Sequence, residues 1–316
     1  MAKNKNGYKE PKATWKKDFQ RNWIVYLFFL PILVIQIIFH YIPMFGIVMA
    51  FENFQVAKGF FGSPFVGLQN FKELFFNPEF PNAIKNTVII GLLKATIGFI
   101  APIIFAFLLS LLRSKKYKRT VQTLSYLPNF VAAVIVAAIL REFVAKDGPI
   151  TLLFHTIFGT ENMNLLASTK EPVFKLIYLF MGIWQSIGWG SIMYVSAIAT
   201  VSGDLHEAAA IDGATRLQRL FKITLPCILP TIVMMMVLNV GLCFSVGFDS
   251  ILLLYMPSTY SVADCVYTYT YRYAFGGAAP NYGLSSASGL FQSVIATILL
   301  VGSNSLSRKM VGSSLF

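Results

Sequence analysis

The sequence predicts an all-α integral membrane protein with six membrane-spanning helices and both termini in the cytoplasm. Three observations carry that expectation. The 316-residue chain is 56% hydrophobic and 13% charged, with a mean hydropathy of +0.63, whereas soluble domains carry about 25% charged residues. Apolar runs of about 20 residues recur along it, the length that crosses a bilayer as a helix. Lysine and arginine gather in alternate connecting segments, the asymmetry that sets membrane topology. A net charge of +12 in a soluble chain would suggest nucleic acid. Here the charges sit between apolar runs and read as topology, so no nucleic-acid partner is expected.

Taken in order, residues 1–22 form a polar tail carrying Lys3, Lys5, Lys9, Lys12, Lys16, Lys17 and Arg21. A first span with an external segment occupies 23–70. Trp23 and Tyr26 suit a membrane interface, and Pro31 and Pro43 bend or end the span. The first apolar run has no small-residue cleavage site and is expected to stay as an anchor. Residues 71–310 form a core with five further spans. These are about 87–112, 124–143 (with Pro128 near its start), 173–200, 226–255 and 284–306. The segment 51–85 reads as an external loop with short amphipathic helices. Residues 113–119 read as a dense basic loop, 144–172 as a second external loop, and the stretch after 255 as a tyrosine-rich one.

With the N-terminus inside, the cytoplasmic segments hold 17 of the 26 Lys and Arg. Seven are in the tail, five lie between Arg113 and Arg119, three are Arg216, Arg219 and Lys222, and two are Arg308 and Lys309. Lys94 is left inside the second span. Cys227, Cys243 and Cys265 match no metal or redox spacing and read as small buried hydrophobes. His40, His155 and His206 are isolated, so no catalytic or metal residue is assigned. No Gly-x-x-x-x-Gly-Lys-Ser/Thr pattern occurs, so a phosphate-binding loop of that kind is absent.

The segment 202–226 breaks the apolar pattern. It reads as two short helices. Asp204 with Glu207 suits a capping box, and Ala208, Ala209 and Ala210 favour helix with little bulk. Gly213 suits a left-handed stop, and Thr215 with Gln218 repeats the capping pattern. Leu217, Leu220, Phe221 and Leu225 give the second helix an apolar face, and Pro226 fits the first turn of the next span. A helix surfaced with alanine lets a second surface approach closely. On these grounds alone, an ordinary connecting loop is an equal alternative.

These residues resemble the EAA motif of binding-protein-dependent ABC importer permeases (MalF/MalG-type, with a MetI-like core). Glu207, Ala208, Ala209, Gly213, Ile223, Leu225 and Pro226 fill every position at its spacing. Phe65–Phe71 and Asn86-Thr87 look like the start of the permease core. Tyr41–Gly46 and Phe248-Asp249 look like the LplB-like subfamily associated with oligosaccharide and polysaccharide uptake. The resemblance implies a coupling helix that docks on an ATPase subunit, with Glu207 at the contact, Gly213 at the turn and Asp212 beside it. It also implies a second homologous permease subunit, two ATPase subunits that carry the ATP and magnesium, an extracellular solute-binding protein, and a bacterial plasma membrane location. This chain itself is expected to bind no cofactor and to catalyse nothing.

A solute path needs groups that meet hydroxyls and sugar faces. Trp184, Gln185, Ser186, Trp189, Ser191 and Tyr194 in span four are candidates, as are Asn239, Phe244 and Phe248 in span five. Gly182, Gly188 and Gly190 equally suit helix packing. Lys94 either pairs with Asp249, snorkels outward, or meets the solute. The rival readings are a permease for another polar solute, a stand-alone secondary transporter and a membrane enzyme. The last two lack the intramembrane carboxylates or the catalytic cluster they would need.

Overall fold

The computed structural model describes residues 15–159, 164–242, 247–276 and 280–311. These are mostly helical. No strand occurs among the described residues, apart from one isolated bridge between Glu52 and Phe65. Five helical runs are long and apolar enough to cross a membrane: Asp18–Phe51, Phe80–Leu111, Glu171–Ala199, Arg216–Val240 and Tyr282–Ser305. A bent pair, Lys115–Phe130 with Ala133–Phe143, makes a sixth when the two are counted as one span. The chain divides into two compact units, Met1–Val48 and Met49–Phe316.

The first unit is helix α1 (Trp15–Gln36), followed by a π-turn (Ile37–Tyr41) and the short helix Ile42–Met44. The helix starts at Trp15, so part of the expected tail, Trp15–Asn22, is helical. Its kink is at Asn22 (φ −117°, ψ 20°) and not at Pro31, which sits inside the helix. Asp18 accepts hydrogen bonds from Asn22 Nδ2 at 2.8 Å and Tyr26 Oη at 2.7 Å across that kink.

The second unit contains α2 (Gln69–Phe76), α3 (Phe80–Leu93), a π-turn (Lys94–Gly98) and α4 (Phe99–Leu111). Then come α5 (Lys115–Tyr126), the 3₁₀ turn Leu127–Phe130, α6 (Ala133–Phe143) and α7 (Pro149–Phe158). The long α8 (Glu171–Ala199) precedes α9 (Gly203–Ile211) and α10 (Arg216–Arg219). A π-turn (Leu220–Thr224) leads into α11 (Leu225–Leu242), and α12 (Phe248–Leu254), α13 (Val266–Phe275) and α14 (Tyr282–Val311) complete the unit.

Three expectations about the spans are corrected. The third does not run straight, because the chain turns by 96° between Phe130 and Ala133. Pro128 cannot donate within the helix, and the 3₁₀ turn that holds it ends at extended Val131 (ψ 129°). The basic residues Lys115–Arg119 are the first turns of α5, which is capped by Ser114 Oγ accepting from Tyr117 N, and are not loop. The fifth span is not one helix to Tyr255. Helix α11 is described as far as Leu242, and the non-helical Gly247 (ψ 92°) begins a separate helix, Phe248–Leu254.

Helix α8 packs along α4, and α14 packs along α11 and α13. One buried cluster joins Ile90, Val136, Phe174, Tyr178, Met181 and Ile251. A second joins Ala50, Leu74, Phe80, Tyr269 and Leu284, and a third is built from Phe99, Ile103, Ala106 and Tyr194. Small residues set the approach of the helices. A Cβ placed on Gly188 of α8 would lie 2.1 Å from the Ser125 carbonyl oxygen of α5. Gly188→Ala is therefore expected to destabilise the protein by about 1–3 kcal/mol. Gly182→Ala, which would enter open space, should leave stability unchanged. Thermal unfolding of both variants in detergent checks this.

Of the cysteines, Cys265 is buried as expected, but Cys227 is exposed on α11. Cys243 lies outside the described residues.

Candidate functional site

Helices α4, α8, α11 and α12, with the π-turn after α3, line a cavity of about 510 Å³. The π-turn after α3 places Lys94 and Gly98 on its wall, and such turns recur at functional sites. From α8 come Gln185, Ser186, Trp189 and Tyr194, with Gly182 and Gly190 between them. Asn239 of α11, Ser250 of α12 and Asn129 of the 3₁₀ turn complete the polar set.

The wall is held by specific contacts. Gln185 Nε2 donates to the Val131 carbonyl at 3.0 Å, across the break in the third span. Trp189 meets Phe130 edge to face, with centroids 5.7 Å apart, and Tyr194 meets Phe99 in the same way at 6.3 Å. The cavity thus combines an aromatic face, amides, hydroxyls and one ammonium. That set suits a hydroxylated solute, which stacks on rings and exchanges hydrogen bonds with amides.

Lys94, Gln185, Trp189, Tyr194 and Asn239 are therefore brought together. Trp184 is not. It lines a separate apolar cleft of about 390 Å³ with Val136, Leu140, Phe143 and Phe180. Ser191 is buried and donates back to the Gly188 carbonyl. Phe248 packs on Tyr267 and Tyr271. Asp249 is exposed, is not among the lining residues, and makes no ion pair with Lys94 among the described residues. Phe244 lies outside the described residues. Sequence reading missed Asn129, Tyr178 and Ser250. Pro128 signals a break at that point, and the break is what turns Asn129 toward the cavity.

The 202–226 segment forms the second site. Ser202, not Asp204, caps α9, its Oγ accepting from Asp204 N at 3.2 Å. Glu207, Ala208 and Ala210 are exposed, and Ile211 is 88% exposed. Glu207 has no ion-pair partner among the described residues. Gly213 takes φ +80°, and Ala214 N donates to the Ala209 carbonyl at 2.9 Å, which reverses the chain. The Thr215–Gln218 capping box is complete.

Two contacts tie this turn to the base of the fifth span. Arg219 Nη1 donates to the His206 carbonyl at 3.2 Å, and Thr224 Oγ1 lies 3.4 Å from His206 Nε2. Leu220 and Thr224 are buried, but Leu217 and Phe221 are exposed. The apolar face expected of α10 is thus only partly used within this chain. The helix runs through the π-turn into Pro226 without a break, so α9 and α11 are mechanically joined.

A third cluster was not foreseen. Arg272 Nη2 donates to Asp264 Oδ2 and to Glu79 Oε2, both at 2.7 Å, and its guanidinium lies 4.5 Å over the Tyr260 ring. Thr268 Oγ1 donates to Asp264 Oδ1 at 2.6 Å. Burial pushes the Asp264 carboxyl above its usual range, against the pull of Thr268 and Arg272. Burial likewise pushes the Cys265 thiol up to about 12, so it stays protonated and unreactive. This cluster pins α13 to the start of α3. Among the described residues no group of His, Cys, Asp and Glu could hold a metal ion.

A bent set of long apolar helices around a polar cavity, with an exposed small-residue helix at one end, defines a polytopic membrane transport subunit. The chain belongs to the binding-protein-dependent transport system inner membrane component family, whose model matches residues 98–311. It is a multi-pass membrane protein of the permease type found in ABC importers. It is 36% identical to Protein LplB of Bacillus subtilis (strain 168) over 304 residues, 96% of this chain and 94% of that protein. It is also 36% identical to the polygalacturonan/rhamnogalacturonan transport system permease protein YteP of the same strain, over 90% of this chain and 88% of that one. Its fold matches a chain in the crystal structure of a bacterial ABC transporter involved in the import of the acidic polysaccharide alginate. The TM-score is 0.85 at 37% identity, over 94% of this chain and 99% of that chain. A second matching structure is of a bacterial alginate ABC transporter in complex with an alginate pentasaccharide-bound periplasmic protein.

Proposed function

We propose that this chain is one of two transmembrane subunits of an ATP-driven importer for a sugar or oligosaccharide. The observation that carries the coupling half of the reading is the joined unit of α9, Gly213 and α11. An exposed helix with a free carboxylate is fastened to a spanning helix that lines the cavity. ATPase subunits that close on ATP and magnesium would push α9, and the push would reach Asn239 through α11. The cavity would then alternate between the two sides of the membrane, and this chain would supply no catalysis itself.

The positive-inside asymmetry supports a cytoplasmic N-terminus and a cytoplasmic α9. A second, homologous permease would close the open side of the cavity, and an extracellular binding protein would deliver the solute. A permease named for polygalacturonan/rhamnogalacturonan transport and a chain of an alginate ABC transporter, at 36% and 37% identity, support a carbohydrate cargo.

The test is uptake by vesicles that carry the chain together with its copurifying subunits. Accumulation of labelled oligosaccharide only with internal ATP and external binding protein is the expected result. Equal accumulation by the chain alone without ATP would make it a self-sufficient carrier and overturn the reading.

A further inference from the structure

We infer that Lys94 reads a carboxylate on the solute, so that the cargo is an acidic oligosaccharide built from uronic acids. This rests on the reading that the cavity is the translocation path. Among the described residues, Lys94 is the only charged one on the cavity wall. It reaches the cavity surface and has no ion-pair partner among the described residues. The remaining polar groups, Asn129, Gln185, Ser186, Asn239 and Ser250, are neutral.

Asp249 of α12, the nearest carboxylate in sequence to the lining residues Gly247 and Ser250, makes no ion pair with Lys94 among the described residues. The runs 80–111, 216–240 and 282–305 contain no aspartate or glutamate. Glu171 and Glu142 lie at helix ends, and Glu171 is taken by Lys85. An ammonium inside a membrane span is costly unless something anionic answers it. Here the cavity has room and neutral hydrogen-bonding groups for hydroxyls, and one unanswered positive charge. A neutral sugar would leave that charge unmet. A uronate would meet it and still stack its ring on Trp189. The π-turn inserts one residue into the α3–α4 helix at Lys94, whose side chain lines the cavity together with residues of α8 and α11.

The experiment is equilibrium dialysis of the purified transporter complex against labelled trigalacturonate and its fully methyl-esterified form, which share size and ring and differ in charge. Wild type should bind the acid more tightly than the ester. Lys94→Met should lose about tenfold or more in affinity for the acid, the factor carried by one charge-assisted hydrogen bond. Affinity for the ester should stay within about twofold. Lys94→Arg should keep much of the preference, and the preference should shrink as salt rises.

Equal affinities for the two forms in wild type would overturn the inference. So would a Lys94→Met variant that loses thermal stability or its partner permease while keeping the acid preference, since Lys94 would then answer a partner's carboxylate. If the complex imports neutral oligosaccharides and Lys94→Met changes nothing, this inference falls and the proposed function stands. If it imports no oligosaccharide at all, both fall.

Discussion

Glu207→Arg is expected to abolish ATP-driven uptake and to release the ATPase from the purified complex. The carboxylate sits exposed on α9, six residues before the Gly213 turn, without an ion-pair partner among the described residues. An exposed acid on an alanine-surfaced helix, flanked by exposed Asp204 and Asp212, is suited to a cationic group on a docking surface. Removing one member of such a desolvated pair costs about 2–5 kcal/mol, and reversal adds repulsion. About 3 kcal/mol is already a loss near 100-fold in docking. The fold should not suffer, since the Glu207 side chain makes no ion pair among the described residues and lies exposed. Copurification of the ATPase with the variant, scored by mass spectrometry beside uptake, is the check. Full retention of the ATPase with normal uptake would remove Glu207 from the coupling surface.

Arg272→Met is expected to cost about 3–5 kcal/mol of stability, because it strands the Asp264 carboxylate in a buried site. The two side chains are only 18% and 5% exposed. A control separates this from ion pairing in general. Lys85 and Glu171 also pair, but at 56% and 49% exposure, and Lys85→Met should cost no more than about 1 kcal/mol. The pH dependence has a definite sign. Burial already holds the Asp264 carboxyl above the unfolded value, and loss of Arg272 raises it further. The folded state then binds a proton more readily than the unfolded state, so stability falls as pH rises through that window. The Arg272→Met deficit should be largest near neutral pH and shrink on acidification, which unfolding curves at several pH values will show.

Much of the architecture was legible from composition and period, and the reasons for the exceptions are local. Lys94, Gln185, Trp189 and Asn239 stood out because a polar or amphipathic group in an apolar run must face protein or water. Trp184 stood out equally, and misled. On a helix, Gln185 and Trp189 share a face four residues apart, whereas Trp184 is rotated about 100° from Gln185 and meets the apolar cleft instead. Asp204 was an acceptable cap by residue type, but the hydroxyl of Ser202, two positions earlier, holds the first free amide. The Asp264–Arg272–Glu79 cluster was invisible because its partners are 193 residues apart along one edge, and no periodicity links a loop to a distant helix start. Asp249 failed as a partner for Lys94: it sits exposed in the first turn of α12, outside the residues that line the cavity.

The elbow at residues 131–132 also decides where lipid must stop. Its two arms rise about 24 Å and 17 Å at 1.5 Å per residue, each shorter than a hydrocarbon slab of about 30 Å. Acyl chains cannot solvate the peptide groups laid bare at such a corner. One of them, the Val131 carbonyl, is answered by Gln185 from the cavity wall. Such a corner is tolerated only where protein or water, not lipid, surrounds it. The Gln185 bond sets this one against the cavity wall, so acyl chains must stop short of it.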